Sequence, residues 1–204
     1  MKTLTSYIDG QWLAPRAGQE MADVINPATE AVVARICFGA GAEVDAAVKA
    51  AHAAFAAYGQ TSLEERIASL RRLISIFERR YQEMVEAIST EMGAPHDLSK
   101  RSQAACGPGH MSAIIEAALD MDWETRSGGS GNVVLEPVGV CGLITPWNWP
   151  VNQLAAKIGP ALVAGCTMVL KPSEIAPLSA QLFAEFVHEA GYPAGVFNMV
   201  HGTG

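Results

Sequence analysis

Asn148 stands between two tryptophans and two prolines, in Ile144-Thr-Pro-Trp-Asn-Trp-Pro150, directly after the apolar run 139–144. A carboxamide held by rigid neighbours offers two N–H donors at a fixed angle, which suits the stabilisation of an oxyanion. The alternative is an Asx-turn residue capping a helix at Val151. Lys171, in Lys-Pro-Ser-Glu174, closes the next apolar run, 167–170. Its ammonium can donate to a phosphate or a ribose hydroxyl. Glu174 can accept from ribose hydroxyls, and its charge repels a 2′-phosphate, which favours NAD over NADP. Here the alternative is an ordinary helix start, with Glu174 favouring the helix dipole. Polar residues at the carboxyl ends of successive strands are where an open α/β sheet takes its ligand.

Other chemistry is sparse. The turn after the first apolar run is bulky, and no Gly-x-Gly-x-x-Gly follows it, so the standard way of laying a pyrophosphate on the backbone is missing. Gly202-x-Gly204 follows a later apolar run and is a weak, displaced candidate for a phosphate or adenine contact. The four cysteines (Cys37, Cys106, Cys141, Cys166) have no metal or redox spacing, and Cys141 and Cys166 sit inside apolar runs as inert thiols do. The five histidines are scattered, without the pairing of a zinc helix.

The elements that must hold these residues read as α/β. Residues 7–13 form a hairpin, with Asp9-Gly10 supplying a two-residue type I′ turn. Asn26-Pro-Ala-Thr-Glu30 is a second turn and 31–36 a strand, expected to pair with the hairpin at an edge. Residues 43–58 form a helix with the stripe Val44, Ala47, Val48, Ala51 and Phe55. Ser62-Leu-Glu-Glu65 is a capping box opening one long helix to Met92, whose buried face runs through Ile67, Leu70, Leu73, Ile74, Phe77, Tyr81, Met84 and Ile88. Gly93-Ala-Pro95 ends it. A helix over 97–105 is expected to break at Gly107-Pro-Gly109 and to resume over 111–119. Residues 127–131 are a linker or loop tip, and 132–137 a strand stopped by proline. From Val138 the pattern becomes βαβαβ: buried strands at 140–145, 167–170 and 196–200, with helices over 151–163 and 178–190. The fold class is thus α/β, an incomplete doubly wound parallel sheet preceded by an N-terminal hairpin, a strand and a long-helix region.

The chain has 204 residues, 50% hydrophobic and 17% charged, with a net charge of -7. That is enough for a sizeable core. An acidic balance argues against a nucleic-acid partner, which needs a basic stripe. No run approaches the ~18 apolar residues of a membrane span, and the start lacks a signal-peptide core. The expectation is a soluble, cytoplasmic protein.

In combination these motifs are specific. The stretch 144–150, then Gly159-Pro-Ala-Leu-Val-Ala-Gly-Cys-Thr167, Lys171-Pro-Ser-Glu174 and Gly195-Val-Phe-Asn-Met-Val-x-Gly-x-Gly204 together resemble the amino-terminal portion of the aldehyde dehydrogenase superfamily. The resemblance extends to Tyr7-Ile-Asp-Gly-Gln-Trp12, Asn26-Pro-Ala-Thr-Glu30 and Arg66, and covers nearly the whole chain. It implies that Asn148 is the oxyanion-hole amide. It implies that Lys171, Ser173 and Glu174 hold the adenosine ribose, and that Ile144, Thr145, Pro146 and Trp147 line the cofactor. Gly204 would begin the adenine-side turn. Residues 1–122 would be the helical part of the cofactor-binding domain, 123–137 an arm of the oligomerisation region, and 138–204 the first half of the NAD-binding sheet. The reaction implied is oxidation of an aldehyde to a carboxylic acid by a homo-oligomer with NAD. The family's nucleophilic cysteine and general-base glutamate lie downstream of Gly204, so the isolated chain is expected to be inactive. Two competing readings are a non-catalytic nucleotide-binding or subunit-interaction fragment, and an unrelated α/β ligand-binding domain.

Overall fold

The computed structural model describes residues 1–129 and 131–203. Its central sheet has five strands: β2 (Tyr7–Ile8), β3 (Gln11–Trp12), β8 (Val140–Ile144), β9 (Thr167–Lys171) and β10 (Phe197–Met199), in the order β3-β2-β10-β9-β8. Strands β8, β9 and β10 are parallel and are joined by α6 (Pro150–Ala164) and α7 (Pro177–Glu189). This is the expected βαβαβ unit. Gly165 and Gly191, at φ 85° and 75°, stop the two helices in a conformation that costs glycine nothing.

Side chains of β9 alternate between the faces of the sheet. Met168 and Leu170 enter the main core with α6 and α7. On the other face, Val169 packs near Ala47 of α1 (Gly41–Tyr58), and the Thr167 hydroxyl donates to the Ala51 carbonyl of that helix at 2.8 Å. Helices α2 (Leu63–Arg79), α3 (Tyr81–Met92) and α5 (Cys106–Asp120) complete the α6/α7 side. A second sheet, β1-β5-β4, comprises β1 (Lys2–Leu4), β4 (Met21–Ile25) and β5 (Val32–Cys37) around Leu4, Val24, Ala34 and Ile36. A separate antiparallel pair, β6 (Glu124–Arg126) and β7 (Asn132–Val134), is exposed throughout. The loop 127–131 is therefore the tip between these two strands, with Ser130 outside the described residues.

The hairpin turn has both central residues at positive φ, Asp9 at 50° and Gly10 at 77°, as a type I′ turn requires. Ser62 accepts from the Glu65 amide at 3.2 Å, and Glu65 reaches back to the Ser62 amide at 2.8 Å.

Six expectations are corrected. The hairpin does not pair with the strand at 31–36. Tyr7 packs on Phe197 and Trp12 packs on Tyr7, which carries the hairpin to β10 and leaves β5 to pair with β1 and β4. The long helix is two helices, broken at Arg80 (φ −102°, ψ 19°). The Arg80 side chain binds Glu83 and Glu185 and stacks 4.8 Å from the Phe186 ring centre, so the bend answers to α7. Along α2, Ile76 is buried and Ile74 only partly so. Gly107-Pro-Gly109 does not interrupt a helix. It lies in the first turn of α5, where proline's missing N–H has no helical acceptor to lose. The irregular turn falls earlier, as a π-helical segment over Ser99–Gln103 that follows the short α4 (His96–Leu98).

The stripe on α1 is only half buried: Ala47 and Ala51 are inside, whereas Val44 and Val48 are each 44% exposed. Finally, β8 is not a buried strand. Among the described residues it is the edge of the sheet, and Ile144 at its end is 71% exposed. An apolar run reads as interior even where one side has no neighbouring strand.

Candidate functional site

Parallel pairing puts the ends of β8 and β9 side by side. Ile144 is the register partner of Lys171, and the Thr145 amide donates to the Lys171 carbonyl at 3.2 Å. Thr145 is buried at that junction; Pro146, Trp147 and Asn148 are exposed beyond it. Trp149 precedes α6, and Pro150 is the first residue of that helix, where its fixed φ favours initiation. Among the described residues no side chain caps the start of α6, and the Asn148 carboxamide forms no hydrogen bond.

After β9, Lys171 Nζ lies 3.1 Å from Glu174 Oε2, with both groups partly open to solvent. The Glu174 amide, then the Lys171 ammonium, hold this carboxylate below its usual range. Ser173 is buried and its hydroxyl accepts from the Ile175 amide at 3.2 Å, fixing the turn. Ile144 and Lys171 share a cleft of about 450 Å³ with Val48, Gly39, His201 and Thr203, within the size range of small-molecule sites. The exposed valines of α1 are thus one wall of it. Asn148, Pro146 and Trp147 are not among its lining residues. Gly204 lies outside the described residues.

Two buried ionisable groups nearby were not singled out by sequence reasoning. Glu91 is 2% exposed, and its carboxylate accepts from the amides of Leu178 and Ser179 at the start of α7. It, rather than Glu174, serves that helix. Its position was legible in retrospect: Met84, Ile88 and Glu91 follow the i, i+4, i+7 spacing of the buried face. Burial outweighs the amide donors and pushes its pKa up to about 7. His201 directly follows the apolar run of β10. It is fully buried, and its Nε2 meets Gln181 Oε1 at 3.0 Å. Burial, then the Lys171 charge, push its pKa down to about 4.

These two shifts act on stability with opposite sign. Between pH 4.5 and about 7 folded Glu91 keeps a proton that the unfolded chain loses, so stability falls as pH rises. Between about 4 and 6.5 folded His201 lacks a proton that the unfolded chain holds, so stability rises with pH. Their contributions offset each other over the shared window. Relative to the unsubstituted chain, Glu91→Gln is expected to gain stability with rising pH, at up to roughly 1.4 kcal/mol per unit, and His201→Gln to lose it. Urea midpoints from pH 4 to 8 test this; parallel curves for all three proteins would exclude it.

Cys37 and Cys141 are not activated thiolates. Burial raises Cys37, and burial with the neighbouring Cys166 raises Cys141 to about 11. Among the described residues no group of three or more His, Cys, Asp or Glu side chains is placed to hold a metal, and no helix is long and apolar enough to cross a membrane.

A parallel α/β unit whose polar loops meet at the carboxyl ends of adjacent strands defines the class as a Rossmann-like α/β domain. The profile of the aldehyde dehydrogenase family matches residues 12–204, and the chain belongs to that family. It is 52% identical over 199 residues to the 3-succinoylsemialdehyde-pyridine dehydrogenase of a Pseudomonas species, covering 97% of this chain and 41% of that protein. Its structure is similar to an aldehyde dehydrogenase of Bartonella henselae, with a TM-score of 0.96 and 43% identity over 100% of this chain and 44% of that one. It is also similar to aldehyde dehydrogenase C of Pseudomonas syringae, crystallised as a mutant with NAD+ and octanal (TM-score 0.94, 47% identity, 98% of this chain and 41% of that one). The chain thus spans about two fifths of the length of these relatives.

Proposed function

We propose that this chain forms the amino-terminal, cofactor-binding portion of a cytoplasmic, homo-oligomeric enzyme that oxidises an aldehyde to a carboxylic acid with NAD+. The observation that carries the reading is the Ile144–Lys171 register pair, because it brings the loop of Asn148 and the loop of Lys171 and Glu174 to one end of one sheet. In this reading residues 1–122 and 138–204 build the cofactor-binding domain, and 123–137, with the exposed β6–β7 pair, form the arm that meets another subunit.

The residues present fit a dinucleotide. Lys171 and Glu174 present an ammonium and a charged carboxylate 3.1 Å apart, a donor and an acceptor for the two hydroxyls of the adenosine ribose. Ser173 holds their turn, Ile144, Thr145, Pro146 and Trp147 would flank the ligand, and Gly204, outside the described residues, is assigned to the adenine side by the family resemblance alone. The negative charge of Glu174 disfavours a 2′-phosphate, hence NAD rather than NADP. NAD+ supplies the hydride acceptor when bound. Asn148 donates its amide N–H to the oxygen of the aldehyde as that oxygen gains charge under attack by a cysteine thiolate. The thiolate, and the glutamate that activates water to hydrolyse the thioester, are supplied from outside residues 1–204. The raised pKa values of Cys37 and Cys141 support this.

Accordingly, the purified 204-residue chain should yield no NADH from octanal and NAD+, followed at 340 nm. It should bind NAD+ weakly by calorimetric titration, and Lys171→Ala should weaken that binding further. Steady NADH formation by the chain alone, or NAD+ binding indifferent to Lys171→Ala, would overturn the assignment.

A further inference from the structure

The segment carrying Asn148 is held at its two ends in different ways. At the start, Thr145 is fastened to β9. Residues 146–148 then run exposed, outside any helix or strand. At the far end, the Trp149 indole N–H donates to Cys106 Sγ at 3.3 Å, and the Cys106 thiol in turn donates to the Ser102 carbonyl at 3.2 Å. The sulfur's own hydrogen is thus directed away, and its lone pairs face the indole. One turn further along both helices, His110 of α5 meets Asn152 of α6 at 2.5 Å. Beneath them the helices are in close contact: a Cβ on Gly107 would lie 3.1 Å from Val151, and one on Gly159 would lie 2.8 Å from Ile114. Helix α5 therefore offers a rigid base to the residue adjoining Asn148.

We propose that Cys106 is a positioning residue for Asn148, acting through the Trp149 indole to set the direction in which the carboxamide donates. The inference rests on the reading of Asn148 as the oxyanion donor. An oxyanion donor must sit near 2.7–3.1 Å from a position the oxygen occupies only in the transition state. An unanchored exposed segment does not hold that geometry, and a displacement of ~1 Å is enough to cost up to ~10²-fold in rate. The expected signature is a loss in kcat without a loss in cofactor binding.

The test uses the full-length protein that contains this chain. Trp149→Phe keeps the ring and removes the N–H; Cys106→Ala removes the acceptor. Each is expected to lower kcat roughly tenfold with KM for NAD+ unchanged, and the double variant should be no worse than either single within about twofold, because both break one link. Cys106→Ser, which restores an acceptor, should recover part of the loss, and equal melting temperatures would show that the fold is intact. Multiplicative losses, or unchanged kcat in both single variants while Asn148→Ala is impaired, would overturn this inference alone. An unimpaired Asn148→Ala would overturn it together with the oxyanion reading.

Discussion

Replacing Asn148 by alanine in the full-length protein is expected to lower kcat by ~10²–10³-fold, the usual effect of deleting one oxyanion donor. KM for NAD+ should stay within about twofold, because the carboxamide is assigned to the reacting oxygen and not to the adenosine end. Asn148 is exposed and its carboxamide forms no hydrogen bond among the described residues, so its loss should not unfold the domain. Initial rates with octanal and NAD+ decide the matter. A rise in KM for NAD+ at constant kcat would move Asn148 to the cofactor; no change in either would remove it from the site.

The second large effect lies in the core. Phe77 of α2 is fully buried, with ring centres of Tyr81, Phe183 and Phe186 at 6.1, 6.4 and 5.3 Å. It also lies under α5, where a Cβ on Gly107 would come within 2.6 Å of its ring. Phe77→Ala should cost about 3–5 kcal/mol, from lost apolar contact and from a cavity that three rigid rings cannot fill. Phe77→Leu should cost clearly less, since more of the volume is kept. Urea unfolding of the chain measures both. A loss below about 1 kcal/mol for Phe77→Ala would mean that this cluster is not the joint between α2, α5 and α7.

The features that proved legible in the sequence are those whose cause is local. Asp9-Gly10 dictates its turn by backbone conformation alone, Ser62 and Glu65 satisfy each other's amides three residues apart, and Gly93, Gly165 and Gly191 stop their helices by adopting positive φ. The periodicity of 140–200 gave βαβαβ because each strand and helix carries its own burial pattern. Features set by distant partners were hidden. The bend at Arg80 follows from Glu185 and Phe186, more than a hundred residues away. Val44 and Val48 look like core by spacing but face a cleft, and the 140–145 run looks interior but is an edge.

For the candidate site, the chemistry of Lys171 and Glu174 was visible in three intervening bonds of chain, and their ion pair follows from that spacing. What spacing does not convey is which loops become neighbours. The link from Trp149 to Cys106 joins residues 43 apart, and only helix packing brings them together. Glu91 was hidden for another reason: its spacing places it on the buried stripe, but the partner that makes a carboxylate tolerable there, the start of α7, is 87 residues away.

The amino-terminal hairpin has a consequence for how the molecule is made. Tyr7 pairs with Met199, and the Asp9 amide donates to the Asn198 carboxamide at 2.9 Å, a contact spanning 189 residues. On the ribosome, at about 5–20 residues per second, these first strands must wait roughly 10–40 s for their partner to emerge. Until then Tyr7, Ile8 and Trp12 are solvent-facing apolar groups on a nascent polypeptide, a ready target for a holding chaperone, and this sheet cannot close before Met199 has emerged.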